Sequence, residues 1–273
     1  MKIRNDSYDF ILFTDASLTG WGAHCGNTKT HGFWSEEQTK CHINELELMA
    51  VLYGLKTFIN SKSVNVLIRS DSTTAISYIN KYGGCRSVKC HDIAAMIWKW
   101  CEDRDIWLFA SYISTNDNVI ADMCSRVQVD SSEFKLSEYY FKNICSRFFV
   151  PKIDLFASIA TRQCSKYYSW YPDPESSGVD AFTFKWDDSI YAFPPFNLVG
   201  RTLRKIMSDN ANGLVVVPFW QSQPWFPLFQ YLCTGNYVLF GPSKKLLFSP
   251  YTNRAHPLWR TLQVAVGVVS PRL

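Results

Sequence analysis

The first third of the chain repeats one pattern, an apolar run that stops on an acid. Phe10-Ile11-Leu12-Phe13-Thr14 ends on Asp15, and Ala16, Ser17, Gly20 and Gly22 follow. A run of this length bounded by turn formers predicts a buried strand, with Asp15 at its very end. An Asp in that place can also simply open a solvated turn, so its company decides. Asp9 to Ser17, Gly20 to Gly26 and Lys29 to Trp34 predict three strands joined by short turns, a meander. Asn44 to Asn60 then has helical periodicity. With Glu47 set at zero on the helix, Val51, Gly54, Leu55 and Phe58 share its side, whereas Glu45, Lys56 and Asn60 face away. The spacing therefore puts Glu47 on the core-facing stripe, where a carboxylate is costly without a compensating cation, and leaves Glu45 as a solvated residue.

Val64-Asn65-Val66-Leu67-Ile68-Arg69-Ser70 is a second apolar strand, and it ends on Asp71. Ser72 or Thr73 is placed to cap a helix running to Gly83-Gly84. A helix over Ser87 to Glu102 leads into a strand from Ile106 to Ile113, and Asn116-Asp117-Asn118 opens a short helix that carries Asp122. Asp15, Glu47, Asp71 and Asp122 thus fall at element ends or on core faces.

All 12 prolines lie at or after Pro151, a shift that predicts a domain boundary near residue 145 to 152. The expected domains are 1–150 and 151–273. With 273 residues, 47% of them apolar and 19% charged, the chain can bury two cores and is not disordered. A net charge of +4 is compatible with a polyanionic partner without demanding one. No apolar run approaches the roughly 18 to 20 residues that span a membrane, and the N-terminus has no signal-peptide core. The 9 cysteines show neither CxxC nor zinc spacing and read as free thiols. The expected location is intracellular, cytoplasmic or nuclear.

Acids converging from two strand ends and two helices repel one another unless divalent cations bind between them. Oxygen-rich clusters suit magnesium or manganese, and two such ions roughly 4 Å apart can activate a water and stabilise the leaving oxygen of a phosphodiester.

Thr14-Asp15-Ala16-Ser17, Asn44-Glu45-Leu46-Glu47-Leu48-Met49-Ala50, Ser70-Asp71-Ser72 and Asn118-Val119-Ile120-Ala121-Asp122-Met123-Cys124-Ser125-Arg126 resemble the ordered Asp, Glu, Asp, Asp motifs of ribonuclease H. His42-Ile43-Asn44 and Tyr78-Ile79-Asn80-Lys81-Tyr82-Gly83-Gly84 are similar to the branch found in the polyproteins of retroelements, especially DIRS-type retrotransposons. The resemblance covers about residues 8 to 127. It implies an α/β fold with a mixed five-stranded sheet, the first three strands antiparallel, flanked by helices. It implies Asp15, Glu47, Asp71 and Asp122 as catalytic residues and ligands of two Mg2+ or Mn2+ ions. The implied substrate is an RNA-DNA hybrid, and the implied partner is a reverse transcriptase domain upstream in the parent element. Ser17 and Asn44 are candidate contacts to the 2′-hydroxyl that distinguishes RNA from DNA, beside their ordinary roles in turn formation and helix capping. The loop Ser114-Thr115-Asn116-Asp117 lacks the histidine of cellular relatives, and Arg86, Lys89 and Lys99 are a thin basic grip, so weak substrate binding is expected of the chain alone. The alternative of a different class is a catalytically silent nucleic-acid-binding or scaffold protein on the same fold.

In the second part, Asp154-Leu155-Phe156-Ala157-Ser158, Trp186, Tyr191-Ala192-Phe193-Pro194-Pro195-Phe196 and Val215-Val216-Val217-Pro218-Phe219-Trp220 resemble the segment that follows ribonuclease H in DIRS-type elements. That segment is itself similar to phage-type adenine-N6 DNA methyltransferases, which implies a second α/β domain. In such enzymes an Asn or Asp precedes the two prolines and accepts from the target amine. Phe193 cannot, and no GxG loop occurs in this part. A degenerate domain without cofactor is therefore expected, its aromatics serving mostly as core, with some available for stacking on single strands.

Overall fold

The computed structural model describes residues 7–127 and 133–271. Contacts gather the chain into two compact units, one of residues 1–130 with Pro172–Glu175, the other of residues 131–171 with 176–273.

In the first unit, strands β1 (Phe10–Ala16), β2 (Gly20–Cys25) and β3 (Thr28–Phe33) form the antiparallel meander. Helix α1 (Ile43–Phe58), strand β4 (Asn65–Ser70), helices α2 (Thr73–Asn80) and α3 (Val88–Glu102), strand β5 (Trp107–Tyr112) and helix α4 (Val119–Ser125) follow. The sheet order is β3-β2-β1-β4-β5, with β1, β4 and β5 parallel. This is the mixed five-stranded sheet with flanking helices that the ribonuclease H resemblance implies. Because β1 and β4 are parallel neighbours, with Leu12 opposite Ile68, their C-terminal ends emerge side by side. That register explains why the sequence repeats an apolar run ending on Asp: the same strand geometry delivers Asp15 and Asp71 to one edge of the sheet.

Element starts follow local capping. His42 caps α1, its Nδ1 accepting from the Asn44 N–H at 3.2 Å, so Asn44 lies inside the first turn instead of capping it. The Ser72 hydroxyl accepts from the Ala75 N–H and caps α2. That helix stops at Asn80, before the glycines, and the turn is made by Tyr82 and Gly83, both at positive φ. Helix α1 is wrapped almost completely: Leu46, Leu48, Val51 and Leu55 are all fully buried. The expectation that Glu45 is a solvated residue is therefore corrected. It is 7% exposed, because α3 packs against that side of α1 and brings the Lys89 ammonium to 3.8 Å. The wheel identified the face toward the sheet but could not know of a second covered face.

The second unit opens with β6 (Lys135–Leu136) and α5 (Glu138–Arg147), then β7 (Ile153–Asp154), β8 (Lys166–Ser169), β9 (Gly178–Val179), β10 (Ile190–Ala192), α6 (Val199–Asp209), β11 (Gly213–Pro218), α7 (Phe226–Leu232), β12 (Val238–Phe240), β13 (Leu247–Phe248) and β14 (Val264–Val269). The units divide between residues 130 and 131, earlier than the proline edge at 145–152. The reason is pairing and packing: β6 bonds to β13, and Ile144 of α5 is fully buried in the second unit's core. Its main sheet runs β12-β14-β11-β10-β7-β8-β9, with β9, β8, β7, β10 and β11 parallel and β14 antiparallel. Both faces are covered, since Val215 and Val217 of β11 point into one cluster and Leu214 and Val216 into the other. A central strand buried on both faces reads as a continuous apolar run, which is what Leu214–Val217 is.

Candidate metal centre

Three of the four predicted acids come together. Carboxylate oxygens of Asp15, Glu47 and Asp71 all lie within 4.8 Å of one another. Asp15 arrives at the end of β1, Asp71 just past β4, and Glu47 from the side of α1 that faces the sheet. Asp15 and Glu47 are buried, at 4% and 7% exposure, while Asp71 is half-buried. Asp122 of α4 stands beside this trio, near enough that its charge raises the Asp15 pKa, but its Oδ1 is held by the Arg126 guanidinium, with Nε at 2.7 Å.

Asp15, Asp71 and Asp122 each have a side-chain donor, whereas Glu47 has none among the described residues. The Ser125 hydroxyl donates to Asp15 Oδ2 at 2.5 Å, and the Thr115 hydroxyl to Asp71 Oδ2 at 2.7 Å. Glu47 Oε2 is buried with no hydrogen-bond partner among the described residues. Burial pushes the Glu47 carboxyl up to about 9, the Asp15 and Asp71 charges add to that, and the nearby Ala16 backbone N–H pulls it partly back. Asp15 is raised to about 6, again chiefly by burial, with the Ser125 hydroxyl and Arg126 opposing and Asp71 and Asp122 adding. A buried carboxylate oxygen without a partner is costly. Hard oxygen donors converging on it are the set that Mg2+ or Mn2+ takes, so the residues present fit such an ion.

The sheet and α4 are locked together at this edge. The Asn118 amide, 1% exposed, donates from Nδ2 to the Thr14 carbonyl at 3.0 Å, tying the start of α4 to β1. A Cβ on Gly22 would collide with the Ala121 carbonyl, Cys124 and the Ser125 N–H, so only glycine lets the helix sit this close to β2. Of the two candidate 2′-hydroxyl contacts, Ser17 donates to the Ser125 carbonyl at 2.6 Å and organises the turn to Gly20. Asn44 lies three residues before Glu47, half-buried in the first turn of α1. The supports that sequence reasoning did not single out are Ser125, Thr115, Asn118 and Arg126. Ser125, Asn118 and Arg126 stood within the last resembling motif, but only Asp122 in it carried an obvious chemical signal.

In the second unit, the strand order reverses between β7 and β10, the place where open α/β sheets bind ligands. The crevice there encloses about 20 Å3, room for about one water. Asp154, Lys135, Gln163, Tyr191, Phe156 and Phe193 line it. Phe193 and Phe196 pack against the core cluster that holds Leu214 and Val216.

Among protein families and curated proteins, no match to the chain is found. Among solved structures, the chain is similar to ribonuclease H1 from the halophilic archaeon Halobacterium salinarum NRC-1, at 14% identity and a TM-score of 0.35 over 42% of this chain and 92% of that one. It is also similar to LC11 ribonuclease H1 in complex with an RNA/DNA hybrid, at 16% identity and 0.35 over 42% and 93%. A third similarity, at 12% identity and 0.25, is to the prototype foamy virus protease-reverse transcriptase, over 41% of this chain and 16% of that one. All are low-identity likenesses to about two fifths of the chain.

Proposed function

We propose that the first unit is a metal-dependent ribonuclease H that hydrolyses RNA in RNA-DNA hybrids, and that it works as part of a reverse-transcription polyprotein of a DIRS-type retrotransposon. The observation that carries this reading is the buried Glu47 carboxyl, with Oε2 unpartnered, grouped within 4.8 Å with two further carboxylates. Asp15, Glu47 and Asp71 would hold one divalent ion, and Asp15 with Asp122 a second. When bound, such ions activate a water and stabilise the leaving oxygen of the phosphodiester.

The chain's own residues prepare that site. Ser125 orients the Asp15 carboxylate by donating to its Oδ2. Thr115 does the same for Asp71. Glu47 must give up its proton as a cation arrives, since burial and the neighbouring Asp15 and Asp71 charges raise its pKa to about 9. The second unit, on this reading, transfers no methyl group, because Phe193 offers no acceptor for an exocyclic amine.

The direct test is cleavage of a labelled RNA-DNA hybrid by the purified chain with Mg2+ or Mn2+. Fragments of the RNA strand are the expected outcome, abolished by chelation. A folded chain that cuts with neither ion would sink the enzymatic reading and favour a binding protein on the same fold.

A further inference from the structure

Asp122 differs from the other acids in what holds it. Asp15 and Asp71 accept from neutral hydroxyls, which orient a carboxylate and leave its charge intact. Asp122 is neutralised by a cation from its own helix, since Arg126 follows it by one turn and caps the C-terminus of α4. The Arg126 charge also reaches Asp15 and Asp71. A guanidinium on Asp122 Oδ1 and a divalent ion on the same oxygen exclude one another by charge and by space. The pair is easily opened, however, because the Arg126 side chain is 62% exposed, on a long stem free to turn toward water.

We propose that Arg126 makes ion loading sequential: it stands on Asp122 as a built-in counterion, so the trio Asp15, Glu47 and Asp71 fills first and a second ion binds only by displacing the guanidinium. The proposal rests on the metal-dependent reading above and extends it to how the site is regulated. Without a cation on Asp122, a fourth carboxylate would stand uncompensated beside the trio, and Arg126 relieves that repulsion in the metal-free protein. The same contact penalises the second ion by the free energy of breaking it. Arg126, on this account, is a positioning residue that sets the second ion's affinity without ligating it.

The experiment is a calorimetric Mn2+ titration of the full chain without nucleic acid, comparing the parent with Arg126→Gln and Arg126→Lys. In the parent, a tighter and a weaker ion are expected. Arg126→Gln should tighten the weaker one by about twofold to fivefold, the worth of an exposed ion pair, and change the tighter one less. Arg126→Lys, which keeps the charge but loses the fork, should fall between. In crystals soaked with Mn2+, the guanidinium should have left Asp122 Oδ1. An equal shift of both ions, no shift, or Arg126 still on Asp122 with two ions bound overturns the sequential device while leaving the nuclease reading standing. A chain that binds no Mn2+ overturns both.

Discussion

At the scale of single residues, the site turns on which carboxylates can lose their protons. Asp15→Asn should abolish hybrid cleavage, because an amide replaces the charge shared between ions poorly, while circular dichroism shows an intact fold. Substantial remaining cleavage would remove Asp15 from the centre. Glu47→Gln should likewise remove most activity. Glu45→Gln should leave cleavage near the parent level but lower the melting temperature slightly, since it gives up the Lys89 pair. The pH dependence of stability has a definite sign. In the metal-free fold Asp15 is raised from 3.8 to about 6 and Glu47 from 4.5 to about 9, so the folded state binds more protons than the unfolded one. Their contribution is complete below the unfolded values and is lost as pH rises toward about 9. Urea midpoints should therefore fall between pH 5 and pH 9 by more in the parent than in Glu47→Gln, and added Mg2+ should flatten the curve. A midpoint that rises over that window would contradict the burial of both groups. Glu47 was legible in the sequence because a charge on an apolar stripe breaks the pattern. Ser125 and Thr115 were not, because a hydroxyl that orients a carboxylate across more than 40 positions leaves no local trace.

At the scale of elements, the architecture of the first unit could be read almost strand by strand, since each apolar run was bounded by a turn former or a cap. What could not be read was contact between elements distant in sequence. Glu45 is spaced as a solvated residue but is covered by α3, and Asn80, the last residue of α2, pairs its amide with both the N–H and the carbonyl of Ala110. That pairing closes off part of the edge strand β5, the sheet's exposed margin. The seat of α4 on β2 gives the element-scale prediction. Gly22→Ala should push α4 outward, lowering the melting temperature by several degrees and reducing cleavage even though no carboxylate is changed. Equal activity and stability in this variant would mean that the helix can shift without cost.

At the scale of the whole molecule, the second unit was the harder reading. Its strands are short, several of only two or three residues, and its sheet is assembled from segments far apart in the chain. Of the aromatic residues in the segments that resemble a methyltransferase, Phe193, Phe196 and Trp220 are half-buried and pack against the core cluster of Leu214 and Val216. Calorimetry with S-adenosylmethionine should accordingly show no saturable heat, and labelled methyl should not enter adenine-containing DNA. Either signal would make the chain bifunctional.

The residues Pro172–Glu175 count with the first unit, where Glu175 pairs with Lys56 at 2.8 Å and Thr30 donates to the Pro172 carbonyl. The backbone thus passes from one unit to the other three times, not once. No single nick can part them cleanly, and a gene split at any one codon would leave one product with a piece of the other. The first unit made by itself would have to do without this tetrapeptide and its pair with Lys56.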